Sequence, residues 1–215
     1  MKPLGRINTV WNHRLAYATG LLATDGCLSK DGRHISLTTK DKEQAENFRK
    51  CLSLAVKIGL KGRGYTKEKN YYHIQFGDVL FYRFLKSIGL TSAKSKTISS
   101  LTIPNRFYFD FLRGVFDGDG YTYSYWDHRW KNSFMFYTGF TSASLHFLKW
   151  IQETLQRELN VKGYMTSYRN WYQLKYAKGE SLLLLRKIYS NKQGFYLSRK
   201  KLKIVKALAI VNKRL

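Results

Sequence analysis

Two carboxylates stand at repeated positions. Asp25 closes the run Leu15-Ala-Tyr-Ala-Thr-Gly-Leu-Leu-Ala-Thr-Asp, and Asp119 closes Phe109-Asp-Phe-Leu-Arg-Gly-Val-Phe-Asp-Gly-Asp, each followed by Gly. Gly20 and Gly114, like the two acids, are 94 residues apart. Both runs read as apolar helices, and a Gly inside a helix costs about 1 kcal/mol relative to Ala. Close approach of two helix backbones is the gain that offsets it. Ala16, Gly20 and Thr24 make a small-residue strip on one helix, and Gly114 and Gly118 on the other. If the strips meet, Asp25 and Asp119 come together at adjacent helix C-termini, where the dipoles and each other's charge oppose them. A divalent cation reverses that sign. Oxygen ligands, several waters and substrate phosphates suit Mg²⁺. Cations held this way stabilise the attacking and leaving oxygens of phosphodiester hydrolysis. One Asp-Gly after a helix is ordinarily a turn. Two at matched positions, after matched Gly-bearing helices, point to the metal.

The elements that position these acids also repeat. Asn12 caps the first helix, which runs to about Thr24. A hairpin follows over 27–30 and 34–40, and Asp41 opens a second helix in which Phe48, Leu52, Ala55 and Val56 recur at helical spacing. A second hairpin takes in 61–67 and 71–76, and a third helix Val79–Ile88. The second copy has a helix to Phe116, a hairpin over 121–141, a helix over 144–159, a hairpin over 163–176 and a helix over 180–190. A basic helix over 197–212 ends the chain, and Thr91–Pro104 links the copies. The second pair of hairpins is offset by 100 rather than 94, so about six residues are inserted, placed near Tyr123–Trp130. The expected class is α+β: two αββαββα units, 1–100 and 101–215, each with an antiparallel sheet cored on one face and polar on the other.

Charge names the partner. The 215 residues carry 38 Lys and Arg against 14 Asp and Glu, a formal charge of +24. Residues 1–100 hold 18 basic and 7 acidic side chains, and 101–215 hold 20 and 7, so the charge is not confined to a tail. A globular chain this basic implies a polyanion. At 44% hydrophobic it can build a core, which excludes a disordered chain. No apolar run suffices for a membrane span, and the N-terminus lacks the apolar stretch of a signal peptide. Cys27 and Cys51 make no disulfide framework, which suits a reducing compartment. The expectation is an intracellular protein, in a prokaryotic cytoplasm or an organelle.

Ala18-Thr-Gly-Leu-Leu-Ala-Thr-Asp-Gly26 and Leu112-Arg-Gly-Val-Phe-Asp-Gly-Asp-Gly120 resemble the two motifs of a single-chain LAGLIDADG homing endonuclease. The resemblance covers nearly the whole chain. The first motif departs from the pattern, with Ala23 in place of the usual inner acid and Thr24 polar, but keeps the last acid. The resemblance implies a pseudo-symmetric monomer whose sheets form a saddle over double-stranded DNA and which cuts both strands across the minor groove, leaving 3′ overhangs. It implies that Asp25 and Asp119 bind Mg²⁺, or Mn²⁺ or Ca²⁺ in its place, with the carbonyls of Thr24 and Gly118 as further ligand candidates. A family lysine after the third helix of a unit matches Lys94. In the second copy the match is Arg199, or Lys200 if the register slips by one. Such a cation polarises the water shell or stabilises phosphorane charge, though a basic tether on phosphate fits those positions equally well. Lys40 or Asp41, and Ser142, fall where the family places water-organising polar residues.

The outward hairpin faces supply the DNA-reading candidates, since a two-stranded ribbon fits the major groove. In the first copy these are Ser36, Thr38, Lys40, Lys61, Arg63, Tyr65, Tyr71, His73 and Gln75. In the second they are Tyr123, Tyr125, Arg129, Thr138, Tyr168, Arg169, Trp171, Gln173 and Lys175. Two such arms cover roughly 60–70 Å, or about 20 base pairs. The terminal cations Arg199, Lys200, Lys201, Lys203 and Lys206 are expected on phosphates. Three other readings compete. An RNA-binding intron maturase on the same scaffold has no need of the two acids, and a DNA-binding regulator without cleavage should lack them. A ribosomal or structural RNA-binding protein accounts for the charge but not for the duplicated helices.

Overall fold

The computed structural model describes residues 5–62, 70–130 and 132–210; Arg63 and Tyr65 lie outside the described residues. The first repeat comprises α1 (His13–Thr24), β1 (Gly26–Leu28), β2 (His34–Thr39), α2 (Lys42–Cys51), β3 (Gly59–Lys61), β4 (Tyr71–Gly77) and α3 (Val79–Ser87). The second comprises α4 (Tyr108–Asp119), β5 (Gly120–Trp126), β6 (Phe134–Ser142), α5 (Leu145–Leu159), β7 (Tyr164–Ser167), β8 (Tyr172–Tyr176) and α6 (Lys178–Ile188), followed by α7 (Ser198–Ile210). Each repeat builds one four-stranded antiparallel sheet, ordered β1-β2-β4-β3 and β5-β6-β8-β7.

Local chemistry sets the helix ends. The Asn12 side chain accepts the N–H groups of Arg14 and Leu15, both at 2.9 Å, and starts α1. Asp78 caps α3 by accepting the Phe81 N–H at 2.8 Å, and its other oxygen takes the N–H groups of Arg6 and Ile7. Helix α2 stops short of the expected Ala55 and Val56. Ser53 turns to φ 51° and the Leu54 N–H bonds back to the Arg49 carbonyl, so the chain leaves the helix despite its apolar spacing. Helix α4 runs three residues past Phe116, to Asp119 itself.

The offset between copies lies mainly in the first hairpin. Gly26 pairs with Leu37, and Gly120 with Phe140, so that hairpin is nine residues longer in the second copy (140 − 120 against 37 − 26). Three residues are lost again before β8, since Leu37 pairs with Ile74 and Phe140 with Leu174 (74 − 37 against 174 − 140). The net is the six residues the sequence required.

Packing divides the chain into two compact units that differ from a cut at residue 100. The first takes in the chain up to Lys94, with Leu101–Gly118 and Gly194–Tyr196. The second holds Ser95–Ser100, Asp119–Gln193 and the chain from Leu197 on. Helix α4 thus packs with the first repeat as far as Gly118. In the first unit, Leu28, Ile35, Leu37, Ile74 and Phe76 of the sheet are buried with Phe48, Phe81 and Leu85 of the helices. Every residue of α1 from Leu15 to Ala23 is buried, because α1 is covered by its own repeat and by α4. In the second unit, Phe136, Phe140, Leu174 and Tyr176 form the sheet's inner face, under Leu148, Ile151, Leu155, Leu184 and Leu185.

Candidate functional site

In the first unit the small-residue strips meet. A Cβ at Gly20 would lie 2.1 Å from the Phe111 carbonyl oxygen, and one at Gly114 would lie 2.2 Å from that of Tyr17. Gly118 faces Thr24, whose hydroxyl would be 2.0 Å from an added Cβ. Ala16 is fully buried on the same helix. Polar groups line this helix pair. The Tyr17 hydroxyl donates to Asp117 at 2.8 Å, and Arg113 pairs with Asp110 at 2.5 Å while donating to the Phe195 carbonyl at 2.6 Å. Burial first, and then the Asp117 charge, push the Tyr17 hydroxyl well above the usual tyrosine range.

Asp25 is the C-cap of α1. One of its oxygens accepts the Gln44 amide at 2.6 Å. The Gln44 carbonyl in turn accepts the Thr39 hydroxyl at 2.9 Å, and Thr39 accepts the Asp41 N–H at 3.1 Å. Gln44 is 2% exposed, so its amide has little room to turn elsewhere. Asp41 thus contributes its backbone N–H to this chain of bonds, and Gln44 places a side-chain amide on the acid. Its position three residues after Asp41 is where a helix-capping glutamine stands, and that role hid it. The Lys94 ammonium, in a side chain 5% exposed overall, donates to the Thr24 carbonyl at 2.9 Å. A cation on the last turn offsets the helix dipole beside Asp25.

In the second unit, Asp119 lines an open cleft of about 390 Å³ with Thr141, Ser142, Ala143 and Trp171. Thr141 donates to the Asp119 carbonyl at 3.1 Å, and Ser142 accepts the Ser144 N–H at 3.1 Å. Of the two cations expected beside the second acid, Lys200 donates its ammonium to the Gly120 carbonyl at 2.6 Å, and Arg199 is exposed. Lys203 donates to the Thr122 carbonyl at 2.6 Å. Both bonds fall on β5, an edge strand, and cover its carbonyls. These bonds tie Lys200 and Lys203 to the fold; Lys203 was expected on phosphate, and Lys200 there or beside the second acid.

Residues expected on the outward faces mostly lie there. Ser36 and Thr38 alternate with buried Ile35, Leu37 and Thr39. Lys61 pairs with Tyr71, and His73 and Gln75 share that face. Thr38 is hydrogen-bonded to His73 at 2.9 Å, and Lys40 stands 5.5 Å over the Tyr71 ring. In the second unit Tyr123, Tyr125, Gln173 and Lys175 are outward, and Tyr168, Arg169 and Trp171 are exposed at the β7–β8 turn. Arg129, beyond β5, is tied to Asp127 through Nη2 at 3.1 Å. Thr138, expected on the outward face, lies in the core instead. It is 0% exposed and shares the inner face with Phe136 and Phe140, paired with Thr122 and Tyr176. A small polar residue among phenylalanines of equal parity belongs to the core.

Among the described residues, no group of three or more His, Cys, Asp or Glu side chains converges. A protein-only metal cage is thus absent from them. What each acid offers is a carboxylate beside backbone carbonyls, which fits a hard cation that keeps waters and binds substrate phosphate. The Thr24 carbonyl gives one of its two lone pairs to Lys94 and retains the other.

Residues 12–89 match the LAGLIDADG-like domain family. No curated protein matches the sequence. Solved structures match along nearly the whole chain. The I-LtrWI LAGLIDADG homing endonuclease bound to target DNA is 12% identical with a TM-score of 0.62, over 93% of this chain and 90% of that one. I-SmaMI bound to uncleaved DNA target in the presence of calcium is 12% identical with a TM-score of 0.58, over 94% and 92%. Full-length WhiA from Thermatoga maritima is 14% identical with a TM-score of 0.54, over 95% of this chain and 69% of that one. The fold is the LAGLIDADG fold, with two antiparallel four-stranded sheets and their helices.

Proposed function

We propose that this chain is a site-specific double-strand DNA endonuclease that depends on a divalent cation and acts as one copy per site. The observation that carries this reading is the pair of helices α1 and α4, in contact at Gly20 and Gly114 and each running into an Asp-Gly. In it, Asp25 and Asp119 hold Mg²⁺, or Mn²⁺ or Ca²⁺ in its place, with the Thr24 and Gly118 carbonyls as neighbouring oxygens. The bound cation supplies Lewis acidity at the phosphate and lowers the pKa of water. Gln44 fixes the orientation of the Asp25 carboxylate. Lys94 and Lys200 set positive charge beside each acid, where it attracts the scissile phosphates. The outward faces of the two sheets bind duplex DNA over about 20 base pairs by the strand-length estimate. The protein acts inside the cell, on intracellular DNA, with no protein partner.

The test is incubation of the purified chain with a plasmid library of random inserts in Mg²⁺, followed by sequencing of linearised molecules. The reading expects double-strand breaks at one family of related sequences, lost on chelation. Tight duplex binding without breaks under any divalent cation would overturn cleavage and leave a DNA-binding regulator. Preference for structured RNA over duplex DNA would support the maturase.

A further inference from the structure

The two sheets present different chemistry outward. Among the described residues, the outward face of β1–β4 holds Ser36, Thr38, Lys61, His73 and Gln75, with Tyr71 as its aromatic side chain. These groups differ in donor and acceptor character, as reading of base edges requires. The face of β5–β8 is a wall of phenols. Tyr123 stacks on Tyr137 across the strands at 4.8 Å and 13°, and Tyr121 and Tyr125 flank Tyr123 at 6.2 and 6.3 Å. Lys175 is enclosed by this wall: its ammonium lies 5.6, 5.3 and 4.7 Å from the ring centres of Tyr123, Tyr137 and Tyr164, and it donates to the Tyr123 hydroxyl at 3.1 Å. The most central cation of this sheet is thus engaged within the protein.

The stacking decides what such a wall can recognise. The faces that Tyr123 and Tyr137 lay against each other are closed to bases, so this pair is not a platform for unpaired nucleotides, which needs open faces. What remains outward is ring edges and hydroxyls. A phenol hydroxyl both donates and accepts, so it tolerates every base edge. Selectivity then falls to the apolar ring edge, and thymine alone offers a methyl in the major groove.

Resting on the reading of the chain as a duplex-binding protein, we infer that the β5–β8 sheet selects its share of the DNA by thymine methyl groups, through Tyr123, Tyr125, Tyr137 and Tyr164. The β1–β4 sheet selects by hydrogen bonds. Recognition is therefore unequal: sharp base by base under the first sheet, and, outside the reach of Gln173 on β8, biased to thymine but otherwise tolerant under the second.

The experiment selects tight binders from a random-sequence duplex pool with the whole chain in Ca²⁺. The part of the site whose preferences change in Gln75→Ala is assigned to the first sheet. Selected duplexes are then made with deoxyuridine replacing thymidine in one part or the other, which removes only methyl groups. Burial of one methyl is worth about fourfold in affinity. The expected result is about a fourfold loss per thymine replaced under the second sheet and less than about twofold under the first. Tyr137→Phe should keep this uracil effect and Tyr137→Ser should reduce it. Equal losses in both parts, or none, would overturn the inference while leaving duplex binding intact. Failure to bind any duplex would overturn the parent reading and this one together.

Discussion

Gly20 and Gly114 meet so closely that a methyl group on either falls on the other helix's backbone. Backbone atoms cannot swing aside as a side chain can. Gly20→Ala and Gly114→Ala each gain about 1 kcal/mol in helix propensity but incur overpacking of about 1–3 kcal/mol or more. The rigid neighbour makes the cost win, so both variants should lower the urea midpoint. Gly118→Ala meets the Thr24 side chain, and its loss should be smaller. Gly179, in the first turn of α6, has nothing within 4 Å of an added Cβ. Gly179→Ala should therefore stabilise the protein, by up to about 1 kcal/mol. Equal effects at all four positions would contradict the close contact.

On the proposed endonuclease reading, substitution of the acids separates cleavage from binding. Asp25→Asn or Asp119→Asn should abolish double-strand cutting in Mg²⁺ while duplex affinity stays within about twofold or improves. Compared without divalent cation, removing negative charge cannot weaken attraction to phosphate. In Asp25→Asn the new side-chain carbonyl would still accept the Gln44 amide, so the fold is preserved. Cutting at the normal rate by either variant would refute the assigned role.

What was legible in the sequence follows from what is local. The Gly and Asp spacing of α1 and α4 repeats in the chain itself, and Asn12 and Asp78 announce their helices by type. The end of α2 is not legible, because apolar spacing continues through Ala55 while a left-handed Ser53 stops the helix. Gln44 reaches Asp25 across 19 residues by tertiary packing, and from sequence it reads as a helix-capping residue. In Arg199-Lys200-Lys201 the sequence leaves a register of one residue open, and the Lys200 bond to the Gly120 carbonyl is a tertiary contact that no local pattern announces. At Thr138 residue type and strand parity point opposite ways, and parity, set by Phe136 and Phe140, decides the face.

Buried Tyr17 gives the helix pair a dependence on alkaline pH. Its hydroxyl is held well above the usual range near 10, by burial and then by Asp117. The folded state thus keeps a proton that the unfolded chain gives up. Stability from this group is complete below about pH 10 and falls as pH rises further. The buried Cys51 thiol, pushed up to about 12 by burial, acts in the same sense, so the comparison belongs in a Cys51→Ala background. There Tyr17→Phe should flatten the alkaline fall in urea midpoint. At pH 7 it should lose about 1–3 kcal/mol with the bond to Asp117. An unchanged alkaline slope would show that Tyr17 does not carry the effect.

Base reading and attraction to phosphate are separable by substitution. Gln75 and Gln173 stand outward on β4 and β8 and carry amides able to pair with adenine N6 and N7. Lys206 is exposed on α7 and offers only a point charge, unlike Lys200 and Lys203, which hold β5. Gln75→Ala or Gln173→Ala should cost about 1–3 kcal/mol at one or two base positions and relax the preference there. Lys206→Ala should weaken all duplexes alike and reduce the slope of log affinity against log salt by about one unit. Lys203→Ala should instead lower stability before it alters the salt slope, because it uncovers the Thr122 carbonyl on an edge strand. The measurements are a binding profile over single-base variants of the selected site, a salt titration and a urea melt. Base preferences that move with Lys206 and stay fixed with Gln75 and Gln173 would overturn the assignment of the sheet faces to the bases.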